Sequence, residues 1–218
     1  MKVEIIVMDY DRTIADEENN FMINSELKIL LENLPQKKIL ATGRALENIP
    51  DKIVFEIFDA LVLENGTIIM MNGNKEVLPD KKWYNIKDLI IERAKKENID
   101  LMYGEIIIFG SMKYYEAVVE LLKKNGMLKE IHFDFNRNIF IILPKDWNKG
   151  RGVKIAIERL GNGRIMAIGD DINDIPLFEI ADIKVAVGNA ITELKRRADI
   201  ICEEKNGRGV LQILKKLR

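Results

Sequence analysis

Val3-Glu4-Ile5-Ile6-Val7-Met8-Asp9-Tyr10-Asp11-Arg12-Thr13 is the stretch that decides the architecture. Val3 to Met8 is short, rich in β-branched residues and bounded by polar ones, so it reads as a buried strand. Asp9 and Asp11 emerge where that strand ends. Their i, i+2 spacing sends both carboxylates the same way from an extended backbone. In open α/β sheets, ligands bind at the carboxyl ends of strands. Two like charges so close are most easily kept ionised by a shared cation. The inference is a Mg²⁺ site with one carboxylate free for chemistry. Taken alone, the stretch fits an Asp-rich turn capping a helix equally well.

Outward from that strand, a helix is expected through Leu27, Leu30, Leu31 and Leu34, with Asn24 or Ser25 as its cap and Pro35 as its stop. Lys38 to Ala41 reads as a second strand, ending in Thr42-Gly43-Arg44, and a short helix follows around Ala45 to Ile49. Phe58 to Leu63 reads as a third strand, ending in Glu64-Asn65-Gly66. Strands alternating with helices begin a parallel sheet with helical crossovers. The rhythm then changes. Hairpins are expected at Thr67 to Leu78, around Asn72-Gly73, and at Lys129 to Leu143, around Asn136-Arg137. Between them come helices at Asn85 to Glu97 and Met112 to Lys124 and a strand at Glu105 to Phe109. Tight antiparallel turns with two helices describe an α+β unit.

The first rhythm resumes with a helix at Gly150 to Leu160, a strand at Arg164 to Ile168 ending in Gly169-Asp170-Asp171-Ile172-Asn173-Asp174, and a helix at Ile175 to Ile180. A strand at Ile183 to Val187, a helix at Ile191 to Arg197, an edge strand at Ile200-Ile201 and a helix at Gly209 to Leu217 close the chain. The expected organisation is a Rossmann-like, doubly wound α/β core at 1–65 and 146–218, with an inserted α+β cap at 66–145 that exits through Pro144.

The 218 residues suit this arrangement, and a 47% hydrophobic share supplies an ample core. With 34 basic and 35 acidic residues the net charge is −1, so no global field draws the chain to nucleic acid or an acidic membrane. Cys202 is the single cysteine, which excludes an internal disulfide and a thiolate metal cluster. The first apolar run is too short for a signal peptide and contains Glu4, and no segment has the length to span a bilayer. A cytoplasmic location is the expectation, with the chain a monomer or a homodimer.

Four strand-end loops are thus brought to one crevice. They carry Asp9 and Asp11, then Thr42, then Lys149, then Asp170, Asn173 and Asp174. Carboxylates with a hydroxyl and a lysine can hold Mg²⁺ and a phosphate together. With this set the chain resembles the haloacid-dehalogenase-like hydrolases. Asp9-Tyr10-Asp11-Arg12-Thr13 is similar to their Asp-x-Asp-x-Thr motif, and Ala41-Thr42-Gly43-Arg44 to their second. Lys149-Gly150 is similar to the third and Gly169 to Asp174 to the fourth. All four occur in the family's order, and the insertion falls between the second and third, as in the Cof-like branch with an α/β cap. Length and cap size resemble the archaeal phosphoglycolate phosphatases and sucrose-phosphatase-like enzymes of that branch.

The resemblance implies a Mg²⁺-dependent phosphatase acting on a small phosphorylated metabolite, with 2-phosphoglycolate as the specific expectation. Sucrose- or mannosyl-type phosphate esters, or a phosphomutase reaction, are the alternatives. It implies Asp9 as nucleophile and Asp11 as general acid and base. Thr42 and Lys149 would bind the phosphoryl group. Asp170 and Asp174 would complete the metal site with Asp9 and the backbone carbonyl of Asp11, and Asn173 would touch phosphate or a water. Arg12 stands where the family usually has glycine, which implies either an altered flap or a cation aimed at an anionic substrate. Arg44 fits a substrate contact or an exposed helix start equally. Asn65 and Asn189 fit crevice or turn roles, Asp171 is expected to cap a helix, and His132 to be structural. From another class, the acidic set with a hydroxyl and a lysine also resembles a receiver-domain phospho-switch, and a non-catalytic ligand-binding relative is a third reading. The insertion and the fourth motif count against the switch.

Overall fold

A computed structural model of the chain describes residues 2–217. In chain order the elements are β1 (Ile5–Asp9), β2 (Ala15–Asp16), β3 (Met22–Ile23), α1 (Ser25–Glu32), β4 (Lys37–Ala41), α2 (Val54–Ile57), β5 (Ala60–Leu63), β6 (Ile68–Met71) and β7 (Asn74–Val77). Then come α3 (Lys82–Lys96), β8 (Met102–Tyr103), β9 (Ile108–Ser111), α4 (Tyr115–Lys124), β10 (Ile131–Asn136) and β11 (Ile139–Pro144). The last segment holds α5 (Lys149–Leu160), β12 (Ile165–Gly169), α6 (Ile175–Ile180), β13 (Ile183–Ala186), α7 (Thr192–Arg197), β14 (Ile200–Ile201) and α8 (Asn206–Leu214).

Every residue of β1 is buried, as a strand covered on both faces must be. It runs parallel to β4 on one side and β12 on the other. The large sheet has the order β14-β13-β12-β1-β4-β5-β6-β7. From β1 the winding runs one way through β4 and β5 and the other way through β12, β13 and β14, so it reverses beside β1. That reversal opens the crevice in which such sheets place their ligands. Asn24 caps α1 by accepting a hydrogen bond from the Leu27 N–H, and Leu27, Leu30 and Leu31 bury its inner face. The doubly wound core is as expected. Three short features, the β2–β3 hairpin, α2 and β8, lie outside the sequence expectation, because two-residue strands and a four-residue helix carry no readable period. Around Leu46–Asn48 the expected helix is a single 3₁₀ turn.

The Asn72-Gly73 hairpin forms as expected, but its partner sheet is the core. β6 pairs antiparallel with β5, so β6 and β7 extend the large sheet instead of joining the cap sheet. Turn chemistry fixes a hairpin's register; it says nothing of which sheet edge the hairpin joins. The second sheet is four-stranded and antiparallel, in the order β10-β11-β9-β8. One face packs on α3 and α4: Tyr115 of α4 meets Phe133, Phe135 and Phe140 at ring-centroid distances of 5.2, 5.5 and 5.8 Å. The other face overhangs the crevice.

Two close contacts at the end of β5 knit the core to the cap and to its returning segment. The Glu64 carboxylate accepts the backbone N–H groups of Glu105, Ile106 and Ile107 at 2.9, 2.8 and 3.0 Å. Glu64 and Asn65 are both left-handed, with φ of 46° and 51°. Gly66 follows at φ 95°, and a Cβ there would lie 2.0 Å from the Asn148 carbonyl oxygen, so only glycine fits where the β5–β6 turn meets the segment returning from the cap. No helix among the described residues is long and apolar enough to cross a membrane.

Candidate active site

The strand ends deliver their side chains to one place. Asp9 closes β1 and is buried; Thr42 follows β4; Lys149 opens α5; Asp170 follows β12, and Asp174 lies just before α6. Lys149 Nζ lies 2.5 Å from Asp9 Oδ1 and 2.7 Å from Asp174 Oδ1. Asp174 uses its other oxygen to accept the backbone N–H groups of Asp170 and Asp171, at 2.9 and 3.1 Å. Gly150 lets α5 carry Lys149 this deep, since a Cβ at that position would lie 2.4 Å from the Pro176 carbonyl oxygen of α6.

Asp9, Asp170 and Asp174 each offer an oxygen, and these atoms lie within 4.8 Å of one another. The electrostatics follow. Burial pushes the Asp9 carboxyl well up, and the neighbouring Asp174 adds to the effect. Burial likewise pushes Asp170 up to about 7, with Asp174 adding and Arg12 opposing. Burial alone would lower Lys149, but Asp174 and Asp9 outweigh it and the ammonium is held protonated. Lys149 lies among the three carboxylates and Arg12 and Arg137 flank Asp170, at 3.4 and 3.5 Å, which leaves a water-poor nest of oxygen donors with cations around it. An all-oxygen set of this kind suits a hard divalent cation.

Asp11 sits at the mouth, held by Arg44. Nε of Arg44 donates to Oδ1 and Oδ2 at 2.9 and 3.0 Å, and its terminal nitrogen reaches Oδ1 at 2.6 Å. The same guanidinium lies 4.6 Å from the Phe21 ring centroid. Thr42 Oγ1 accepts the Arg44 N–H at 3.1 Å, which ties the second loop to this pair. Arg12 has φ 58°, so the backbone adopts the left-handed conformation that glycine favours although the residue is arginine. Its side chain turns inward, 3.4 Å from Asp170 and 2.7 Å from Asn136 Oδ1 of the cap. Asn189 donates to the Arg12 carbonyl at 2.8 Å and holds the loop from behind.

Asp171 caps the turn that leads into α6, accepting the Ile172 N–H at 2.7 Å, as its position suggests. Asn173 is buried; its amide donates to Asn65 Oδ1 at 3.4 Å, while its Oδ1 has no partner. Asn65 in turn donates to Asp134 Oδ2 at 3.4 Å. Sequence reasoning missed Asp134, Asn136 and Glu64. Only the alternation of His132, Asp134 and Asn136 with Phe133 and Phe135 on β10 signals that one face of the cap strand is polar.

A family model for haloacid dehalogenase-like hydrolases matches residues 74–214. The chain belongs to that family of hydrolases, as its four motifs suggest. Among its relatives, the phosphoglycolate phosphatase of Sulfurisphaera tokodaii is 35% identical over 217 residues, covering 98% of this chain and 93% of that protein. Phosphoglycolate phosphatase 2 of Saccharolobus solfataricus is 38% identical over 220 residues, covering 98% and 91%. The crystal structure of a haloacid dehalogenase-like hydrolase from Bacteroides thetaiotaomicron shares the fold, with a TM-score of 0.81 at 19% identity over 100% of both chains.

Proposed function

We propose that the chain is a Mg²⁺-dependent phosphatase that hydrolyses a small phosphomonoester through an aspartyl-phosphate on Asp9, with 2-phosphoglycolate as the substrate its relatives' names favour. The observation that carries this reading is the contact of Lys149 with both Asp9 and Asp174 beside Asp170. It leaves Asp9 Oδ2 free to attack phosphorus while the ammonium neutralises Oδ1. Asp9, Asp170, Asp174 and the Asp11 carbonyl would hold Mg²⁺, which when bound neutralises charge on the phosphoryl oxygens.

Asp11 protonates the departing alkoxide and then takes a proton from the attacking water. The Arg44 contact aims that carboxyl, so Arg44 acts on the leaving group through Asp11 and faces the substrate from the same pocket. Thr42 and Lys149 bind phosphoryl oxygens, and the unpartnered Oδ1 of Asn173 is a buried acceptor for a water or a substrate hydroxyl. Arg12 is a cation within the same cavity and fits the carboxylate of an anionic leaving group.

We assign residues 82–144 as the cap that covers the crevice, and leave the β6–β7 hairpin to the core. Phosphate release from a panel of phosphorylated metabolites with Mg²⁺ tests the reading, with Asp9→Asn as control. Sustained release lost in Asp9→Asn supports it; stoichiometric labelling without turnover would make the protein a phospho-switch instead.

A further inference from the structure

The cap sheet has two different faces. Phe140 and Ile142 of β11, with Ile108 of β9, join the core that α3 and α4 cover. Phe109, Ile139 and Ile141 point the opposite way, by the two-residue alternation of strands. A sheet face turned away from its helices is ordinarily solvated and polar. On β9 and β11 it is apolar, beside the polar His132, Asp134 and Asn136 of β10, and it forms the roof of the cavity whose floor is Asp9 and Asp11. Ile107 and Tyr103 continue the roof, and Phe21 of the flap forms a side wall. The cavity holds about 500 Å³. That lies within the roughly 300–1,000 Å³ that encloses drug-sized ligands. Of the polar groups, Arg12, Arg44, Glu47, Asn48 and Asn173 lie on the core side of the cavity, while Asn136 of β10 sits in the roof opposite Ile139 and accepts from the Arg12 guanidinium.

We propose that the site takes phosphomonoesters whose leaving group carries a hydrocarbon segment several carbons from the phosphate, seated against Phe109, Ile139 and Ile141. This rests on the phosphatase reading and extends it to the class of leaving group. Burial of each added methylene against such a roof strengthens binding by roughly twofold to fourfold.

The test is calorimetric titration of the full chain with Mg²⁺, using non-hydrolysable n-alkylphosphonates from methyl to hexyl and 5-carboxypentylphosphonate. The expected result is a Kd that falls steadily with chain length and rises when the distal carbon bears the carboxylate. The slope of log Kd against length should shrink in Phe109→Asn. A Kd independent of length, or tightest for the carboxylated probe, overturns the apolar subsite while leaving the phosphatase reading intact. Absence of binding by every phosphonate, with no phosphate release from any ester, overturns both.

Discussion

Lys149 Nζ lies 2.5 Å from Asp9 Oδ1, and both side chains are buried. The pair forms only because α5 begins one residue before a glycine that permits its approach to α6. Removing one partner of a buried ion pair leaves an uncompensated charge, at about 3–5 kcal/mol. Lys149→Met should therefore lower the thermal midpoint markedly and reduce kcat by at least about 100-fold. Adding Asp9→Asn to Lys149→Met should recover part of the stability and none of the activity. Scanning calorimetry and phosphate release on the same preparations check both statements.

In the metal-free protein, stability should fall as pH rises. Burial raises Asp170 to about 7, and Asp9 is raised as well. An unfolded Asp titrates near about 3.9. A carboxyl with a raised folded pKa takes up a proton on folding, so its contribution is complete below about pH 4 and is lost as pH climbs through about 7. With chelator present, the melting temperature should drop as pH rises from about 5.5 to about 8. Mg²⁺ should restore it, and by more at the upper end of that range, since it binds the ionised carboxylates. A chelated protein that melts higher at the alkaline end would contradict this.

Much of this site is legible in the amino-acid chain itself, because strand ends announce themselves. Val3 to Met8, Lys38 to Ala41 and Arg164 to Ile168 are apolar runs that stop at polar turns, and a parallel sheet brings such stops together. Relationships between distant residues are not legible in that way. The Arg44 guanidinium meets Asp11 across 33 positions, and Glu64 meets the Glu105 to Ile107 backbone across about forty. Neither contact leaves a local period. The β6–β7 hairpin shows the same limit: its Asn-Gly turn is plain in the residues, and its neighbour β5 is not.

Arg12 tests the flap. A left-handed conformation costs a non-glycine residue roughly 1–2 kcal/mol. Arg12→Gly removes that cost but takes a cation from buried Asp170 and a donor from Asn136, which outweighs it, so stability should fall by about 1–3 kcal/mol. Arg12→Val must hold the same φ with a branched side chain and should be clearly less stable. Denaturant midpoints for the two variants decide it. Arg12→Ala should raise KM for anionic leaving groups; an unchanged KM across all of them would remove Arg12 from substrate binding.

Glu64 tests the joint between cap and core. Its carboxylate is buried and receives three backbone N–H groups. Glu64→Ala strands those donors and should cost about 2–4 kcal/mol. Glu64→Gln keeps one acceptor oxygen and should cost less. Hydrogen exchange at Glu105, Ile106 and Ile107 should accelerate in both variants, more in Ala.

The central claim is that Asp9 carries the phosphoryl group. It is tested most directly by quenching the enzyme during turnover with Mg²⁺ and substrate, reducing the acyl phosphate with borohydride, and sequencing the peptides by mass spectrometry. The expected product is homoserine at position 9, dependent on substrate and cation and absent from unreacted protein. Undiminished turnover by Asp9→Asn, or rapid phosphate release with reduction trapped at another carboxylate, would contradict the account.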